Sequence, residues 1–214
     1  MDQVKIRLFG SIFFGILWAR HLSTFGAYNL PLLWIMEDLI FFGYFLAYLS
    51  RGFPVSTATG FLERYFPFLP AVLPFLLIYR MPDWNAIISL DPAQILRLAP
   101  ITNVEYASFL QILIMVGTGL SVMGVLSLRT SFSIMSEART LVTGGIYRYI
   151  SHPMYLGQFL TYAGICAFHS STYSWTLYGV FVGAQLLRMR VEEKKLQGAF
   201  QNYSEYRRSC WISL

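Results

Sequence analysis

Charge is what this chain has least of. Asp, Glu, Lys and Arg make up 13% of its 214 residues, where a soluble domain carries about a quarter. Hydrophobic residues reach 56% and the mean hydropathy is +0.51. They come in long blocks, so composition outranks length, which would suit one or two soluble domains. Cysteine is nearly absent too. Cys166 lies in an apolar block and Cys210 near the end; the pair supplies neither a disulfide framework nor metal-ligand spacing, and no metal is expected. A third shortage is a nucleotide-binding loop. Gly117, Gly119 and Gly124 fall inside an apolar run, whereas a phosphate-cradling loop needs a strand before it and a helix after it. Small residues at helical spacing in such a run let neighbouring helices approach closely. No Rossmann domain is expected.

What is present reads as a set of membrane spans. Lys5 and Arg7 precede the apolar run Leu8 to Ala19, which predicts an uncleaved first helix from about Lys5 to His21. Tyr28 to Leu49 is a second span, long enough to cross at about 20 residues. Tyr65 to Tyr79 is short and carries Pro67, Pro70 and Pro74; it crosses if neighbours satisfy the freed carbonyls. Arg80 to Glu105 is mixed and broken by prolines, and Tyr106 to Leu128 is an unambiguous span. Pro153 to Phe168 and Thr172 to Leu187 form a helical hairpin around the turn at His169. From Arg188 a polar tail follows, with Val191, Leu196, Phe200 and Tyr203 as its apolar stripe. The expected fold is all-α: a polytopic integral membrane bundle of about six spans. It forms a single membrane domain over 1–214, with transmembrane helices in 1–128 and a loop, hairpin and amphipathic tail in 129–214.

Charge placement orients the bundle. With both termini cytoplasmic, the outside segments hold only Arg20, Arg80 and Arg97 of the 16 lysines and arginines, a strong positive-inside bias. The net charge of +5 is then explained by bases that flank spans and meet anionic headgroups, not by a nucleic-acid footprint. The lipid bilayer is the expected partner. Glu37 and Asp38 sit inside the second span, where carboxylates are costly. They read either as a polar contact with substrate or with an arginine of another helix, or as a water-reached pair near a kink, beside Arg20 or Arg80.

The densest polar run is Leu141-Val-Thr-Gly-Gly-Ile-Tyr-Arg-Tyr-Ile-Ser-His-Pro-Met-Tyr-Leu-Gly157. Pro153 suits a first helical turn, and the residue before a proline is pushed out of the α region, so His152 should cap the helix. Its exposed N–H groups suit an anion. Gly144 and Gly145 allow a tight turn, and Tyr147, Tyr149 and Tyr155 offer aromatic faces to a cation such as a sulfonium. A second knot, Arg188-Met-Arg-Val-Glu-Glu193, lies where the hairpin leaves the membrane. Arg188 with Glu192, and Arg190 with Glu193, have the spacing of intrahelical ion pairs worth a few tenths of a kcal/mol. Alternatively, an arginine there can hold a carboxylate in bidentate fashion.

These two motifs, followed by Phe200-x-x-Tyr-x-x-Tyr206, resemble the isoprenylcysteine carboxyl methyltransferase family, whose C-terminal pattern the phospholipid N-methyltransferases share. The resemblance covers roughly Phe132 to Arg208. It implies an integral-membrane methyltransferase that uses S-adenosylmethionine and acts on a lipophilic small-molecule or lipidated acceptor. Carried over by position, it implies cofactor contacts at Arg139, Thr140, Leu141, Val142, Tyr147, His152, Pro153, Met154, Tyr155 and Glu192. Arg188 would lie near the substrate, with Glu192 or Glu193 as proton acceptor for an amine or thiol. Ser151 stands where the family usually has arginine, and Arg139 where histidine is common. Two rival readings are a nicotinamide-dependent reductase of the sterol type and a non-enzymatic transporter or scaffold.

Overall fold

The computed structural model describes residues 3–23, 31–78, 104–168 and 171–213. Among these the protein is helical, with two isolated bridges and no strand. The all-α expectation therefore holds, as does the lack of a Rossmann sheet. The expected Arg80 to Glu105 segment and the turn at His169 lie almost wholly outside the described residues.

Helices α1 (Gln3–Leu22) and α2 (Pro31–Ser50) pair in antiparallel fashion. Arg7 near the start of α1 donates to the Leu49 carbonyl at 2.6 Å, and His21 at its far end meets the Trp34 carbonyl at 3.2 Å. Their contact is mostly aromatic: Phe14 lies 5.0 Å from Tyr44 and 5.3 Å from Tyr48, ring to ring. Asp38 takes the Trp18 indole N–H at 3.0 Å. Of the alternatives open for this carboxylate, the described residues supply a neutral donor, which hydrogen-bonds it without bringing a second charge into the span; Arg80 lies outside the described residues.

After the short α3 (Gly60–Arg64) comes α4 (Phe68–Ile78), with Pro74 inside it. Helix α5 (Val104–Leu128) contains most of Ser108–Ser131, the stretch among the described residues that is long and apolar enough to cross a membrane by length and composition. It runs against α6 (Pro153–Phe168), and small residues are what let it. A Cβ on Gly117 would sit 2.6 Å from the Gly157 carbonyl oxygen, and one on Gly124 2.5 Å from Met154. Gly117 and Gly124 of the apolar run form a helix-contact face, as small residues at helical spacing predict, while a Cβ on Gly119 would meet Met36 of α2 at 3.5 Å.

Helix α7 runs unbroken from Thr172 to Ala199. The hairpin arm expected to stop at Leu187 and the polar tail expected beyond it are one element, because no proline interrupts residues 172–199. Ser171 caps its start by accepting the Ser174 N–H at 3.1 Å. The helix ends at Phe200, whose backbone is extended, and α8 (Tyr203–Ser209) follows. Leu73 of α4 and Phe181 of α7 share one buried cluster. Within the apolar layer, Gln185 of α7 donates to Gln158 of α6 at 2.5 Å.

The basic segments meet at one end of the bundle. The 51–64 loop bonds to the 129–152 loop through Val55 and Ser56 N–H groups on the Ala138 carbonyl at 2.8 and 3.0 Å. Ser136 N–H donates to the Glu63 carbonyl at 2.9 Å, and Lys195 of α7 reaches the Glu63 carboxylate and the Thr57 carbonyl. Segments that charge bias assigns to one side of a membrane are therefore in direct contact.

Candidate functional site

The loop from Arg129 to His152 is pinned at both ends. On its N-terminal side, Glu137 bridges two arginines: Arg51 at 2.6 Å and Arg139 at 2.7 Å. All three side chains are almost wholly buried. Arg139 also donates to the Gly52 carbonyl, and the Arg51 guanidinium lies 4.8 Å over the Tyr48 ring. Burial, with the neighbouring Arg139 charge, holds the Arg51 guanidinium below its ordinary value.

On the C-terminal side the chain turns at Gly145, which has φ +61°, a left-handed conformation that glycine adopts without strain. A short 3-10 turn (Gly145–Arg148) follows and buries Tyr147. Burial, then the Glu192 charge, pushes the Tyr147 phenol well above its ordinary value. The last residues of the chain strap this turn. Trp211 and Ile212 donate to the Tyr149 carbonyl at 2.9 and 3.1 Å, Ser151 donates to the Ile212 carbonyl at 3.0 Å, and the Tyr206 hydroxyl donates to the Tyr147 carbonyl at 2.8 Å.

Pro153 is the first residue of α6 and His152 stands outside it, as the X-Pro rule predicts. Both are buried. His152 Nε2 lies 3.2 Å from Glu193 Oε1, which also takes Arg207 Nε at 2.9 Å. One turn into α6, the buried Tyr155 hydroxyl donates to Glu192 Oε2 at 2.5 Å. The Arg188 guanidinium lies 5.5 Å over the same tyrosine ring and donates through Nη2 to the Ile134 carbonyl at 2.9 Å. Its Nε is buried with no hydrogen-bond partner among the described residues.

The two sequence motifs are therefore one place. His152, Tyr155, Arg188, Glu192 and Glu193 interlock, with Tyr147 close enough to feel the Glu192 charge. Neither intrahelical ion pair expected from spacing forms. Arg188 turns to Ile134 and Tyr155, and Glu193 turns to His152 and Arg207. Leu141, Val142 and Met154 are half-buried and Thr140 is exposed, while the Arg139 guanidinium is engaged in the other cluster. Sequence reasoning missed Arg51, Glu137 and Arg207. The first two stand 86 positions apart, and no local pattern joins them. Arg207 directly follows the Tyr203–Tyr206 pair of the C-terminal motif, which was the available signal.

No curated protein matches the chain. Residues 106–203, which build this end of the bundle, match the phospholipid methyltransferase family, a family of membrane methyltransferases that includes the isoprenylcysteine carboxyl methyltransferases.

Proposed function

We propose that this protein is an integral-membrane enzyme of about six crossings, with both termini cytoplasmic, that transfers methyl groups from S-adenosylmethionine to a lipophilic acceptor. The observation that supports it most is the joint held by Tyr155. Its hydroxyl meets Glu192 at 2.5 Å while Arg188 lies over its ring, so the loop-to-helix motif and the Glu-bearing helix form one polar site beside apolar spans.

The donor set suits this cofactor. The buried Tyr147 and Tyr155 rings would attract a sulfonium by cation–π interaction, and Glu192 would supply the opposite charge. The N–H groups at the start of α6 suit the cofactor's carboxylate. Residues 139–142, His152, Pro153 and Met154 would line it, with Arg139 contributing backbone. Bound there, the cofactor would supply an electrophilic methyl group. The chain's task is then to hold the acceptor in line and keep water out, because positioning and desolvation carry most of such a rate.

Arg188 has a buried Nε with no hydrogen-bond partner among the described residues and would orient an acceptor carboxylate, as in an isoprenylcysteine-like substrate. A carboxylate arrives ionised and needs no base. The family description favours a second reading, a phospholipid amine, for which Glu192 would take the proton. Glu193 is less suited to that role, being shared by His152 and Arg207. The methyltransferase match weighs against the sterol-type reductase and the transporter.

The decisive experiment follows labelled methyl from S-adenosylmethionine into a total extract of membrane lipids and peptides. A labelled methyl ester supports the first reading and a labelled amine the second. Purified protein should bind S-adenosylhomocysteine, and Glu192→Ala should weaken that binding about tenfold, the scale of one charged hydrogen bond. Binding of NADPH instead, or binding indifferent to Glu192→Ala, overturns the assignment.

A further inference from the structure

The segment between α2 and α4 has its polarity inside out. Phe53 is 77% exposed, Val55 66% and Phe61 68%, and Leu62 and Tyr65 are exposed as well. The two charged residues of α3 bond to protein groups: Arg64 donates to the Ala58 carbonyl at 3.3 Å, and Glu63 turns toward α7. The Glu63 carboxylate accepts the Thr59 N–H at 2.6 Å and hydroxyl at 2.9 Å and pairs with Lys195 of α7. A short helix facing water does the reverse, showing its charge and hiding its rings. So many exposed apolar groups within thirteen residues mark a contact surface.

From this arrangement we infer that residues 53–65 lie in the plane of the membrane, with Phe53, Phe61, Leu62 and Tyr65 sunk into the headgroup–acyl boundary of the leaflet that faces the candidate site. Two observations say what covers the patch. The exposed apolar stripe does not stop at α3 but continues through Phe68, Leu69 and Val72 of α4, so it joins the apolar flank of a helix in the bundle. The segment also departs directly from the end of α2 at Ser50 and returns at Phe68, so both its ends are tied to apolar helices. Interfacial helices bind by this kind of apolar face.

The inward side gives the placement a consequence. Glu63 also receives the Ser136 N–H on its carbonyl at 2.9 Å. The element that touches lipid thereby touches the loop leading to Arg139–Val142. The bilayer surface and the candidate site are two contacts apart.

The test uses the full chain in phosphatidylcholine nanodiscs. Cys166→Ala and Cys210→Ser remove the native thiols, and Phe61→Cys carries an environment-sensitive fluorophore. Phe53→Cys serves as a second position and Gln197→Cys, exposed and polar on the same side, as the aqueous control. A spin label at the fifth acyl carbon should quench the probes at 53 and 61 about threefold more than the control, while iodide quenches only the control, as for a helix buried about 5–10 Å into the interface. Probes at 53 and 61 open to iodide like the control overturn the inference. So does shielding from both quenchers, which would mean that protein covers the patch. Neither result depends on the identity of the cofactor.

Discussion

Two polar clusters flank the same loop and behave differently. The Arg51–Glu137–Arg139 cluster is sealed: its side chains are at most 2% exposed, and one carboxylate serves two cations. The cluster around Glu192 and Glu193 is open at its edge, with Arg207 35% exposed and the Glu193 side chain 12% exposed. Sealing makes the first a fastener. Its charges have no route to solvent or ligand, so its work is to hold the exit of α2 against the loop. The second is less saturated: Glu192 is held by a neutral phenol, and Arg188 Nε has no hydrogen-bond partner among the described residues.

The largest effect that would sharpen this contrast is Glu137→Ala. It leaves two arginines buried without their shared counter-charge, and losing one partner of a buried ion pair costs about 3–5 kcal/mol. The expected result is a large fall in the thermal midpoint in detergent, with ligand binding lost along with the fold. A midpoint close to wild type would break the distinction.

Glu192→Gln should do the opposite. It keeps the acceptor for Tyr155, so the midpoint should hold, while methyl transfer to an amine acceptor should fall about a hundredfold, the scale of one general base. Loss of stability without specific loss of activity would make this cluster a fastener as well.

Next in size is Gly157→Leu. It would drive a side chain into the α5 backbone at Gly117 and Ser121, and overpacking of that kind costs about 1–3 kcal/mol. Both clusters should lose order together, read as increased proteolysis of the loop.

The smallest effect concerns the C-terminal strap. Tyr206→Phe removes the bond to the Tyr147 carbonyl and should cost about 1 kcal/mol, measured as a small shift of the same midpoint. The strap also has a pH signature. Burial, then the charges of Glu193 and Glu192, raises the Tyr203 phenol. A raised acid contributes stability that is fully present below the unfolded value of about 10 and is lost as pH rises through the folded one. Alkaline titration followed by tyrosinate absorbance should show α8 loosening above that point; ionisation at the ordinary value with no loosening would contradict it.

The helical character, the helix start at Pro153 and a close helix contact along α5 were legible because each rests on local rules: apolar run length, the constraint proline places on its neighbour, and glycine spacing; that the partner is α6 was not. The adjacency of His152 to the Glu192–Glu193 pair was legible from the helical hairpin, whose exit lies across from the helix start at Pro153, and from the resemblance. The two places that spacing left open share a cause. Asp38, read as open to substrate, an arginine or water, takes the Trp18 indole; the spacing also allowed Arg188–Glu192 and Arg190–Glu193 pairs within one helix, but Arg188, Glu192 and Glu193 take partners from other elements. Spacing along a helix says which groups can meet, but a stronger partner brought by another element decides whether they do.

By itself, then, the sequence determined that this chain is a helical protein rich in apolar runs, with a basic side and one polar motif poised at a helix start. Those properties follow from nearest-neighbour backbone chemistry and from the cost of leaving apolar groups in water. Tertiary structure alone decided that Glu137 would clamp residues 86 and two positions away, and that residues 206–212 would strap the Tyr147 turn. A buried charge takes whatever counter-charge and donors the fold delivers to it, and that delivery depends on contacts between segments far apart in the chain.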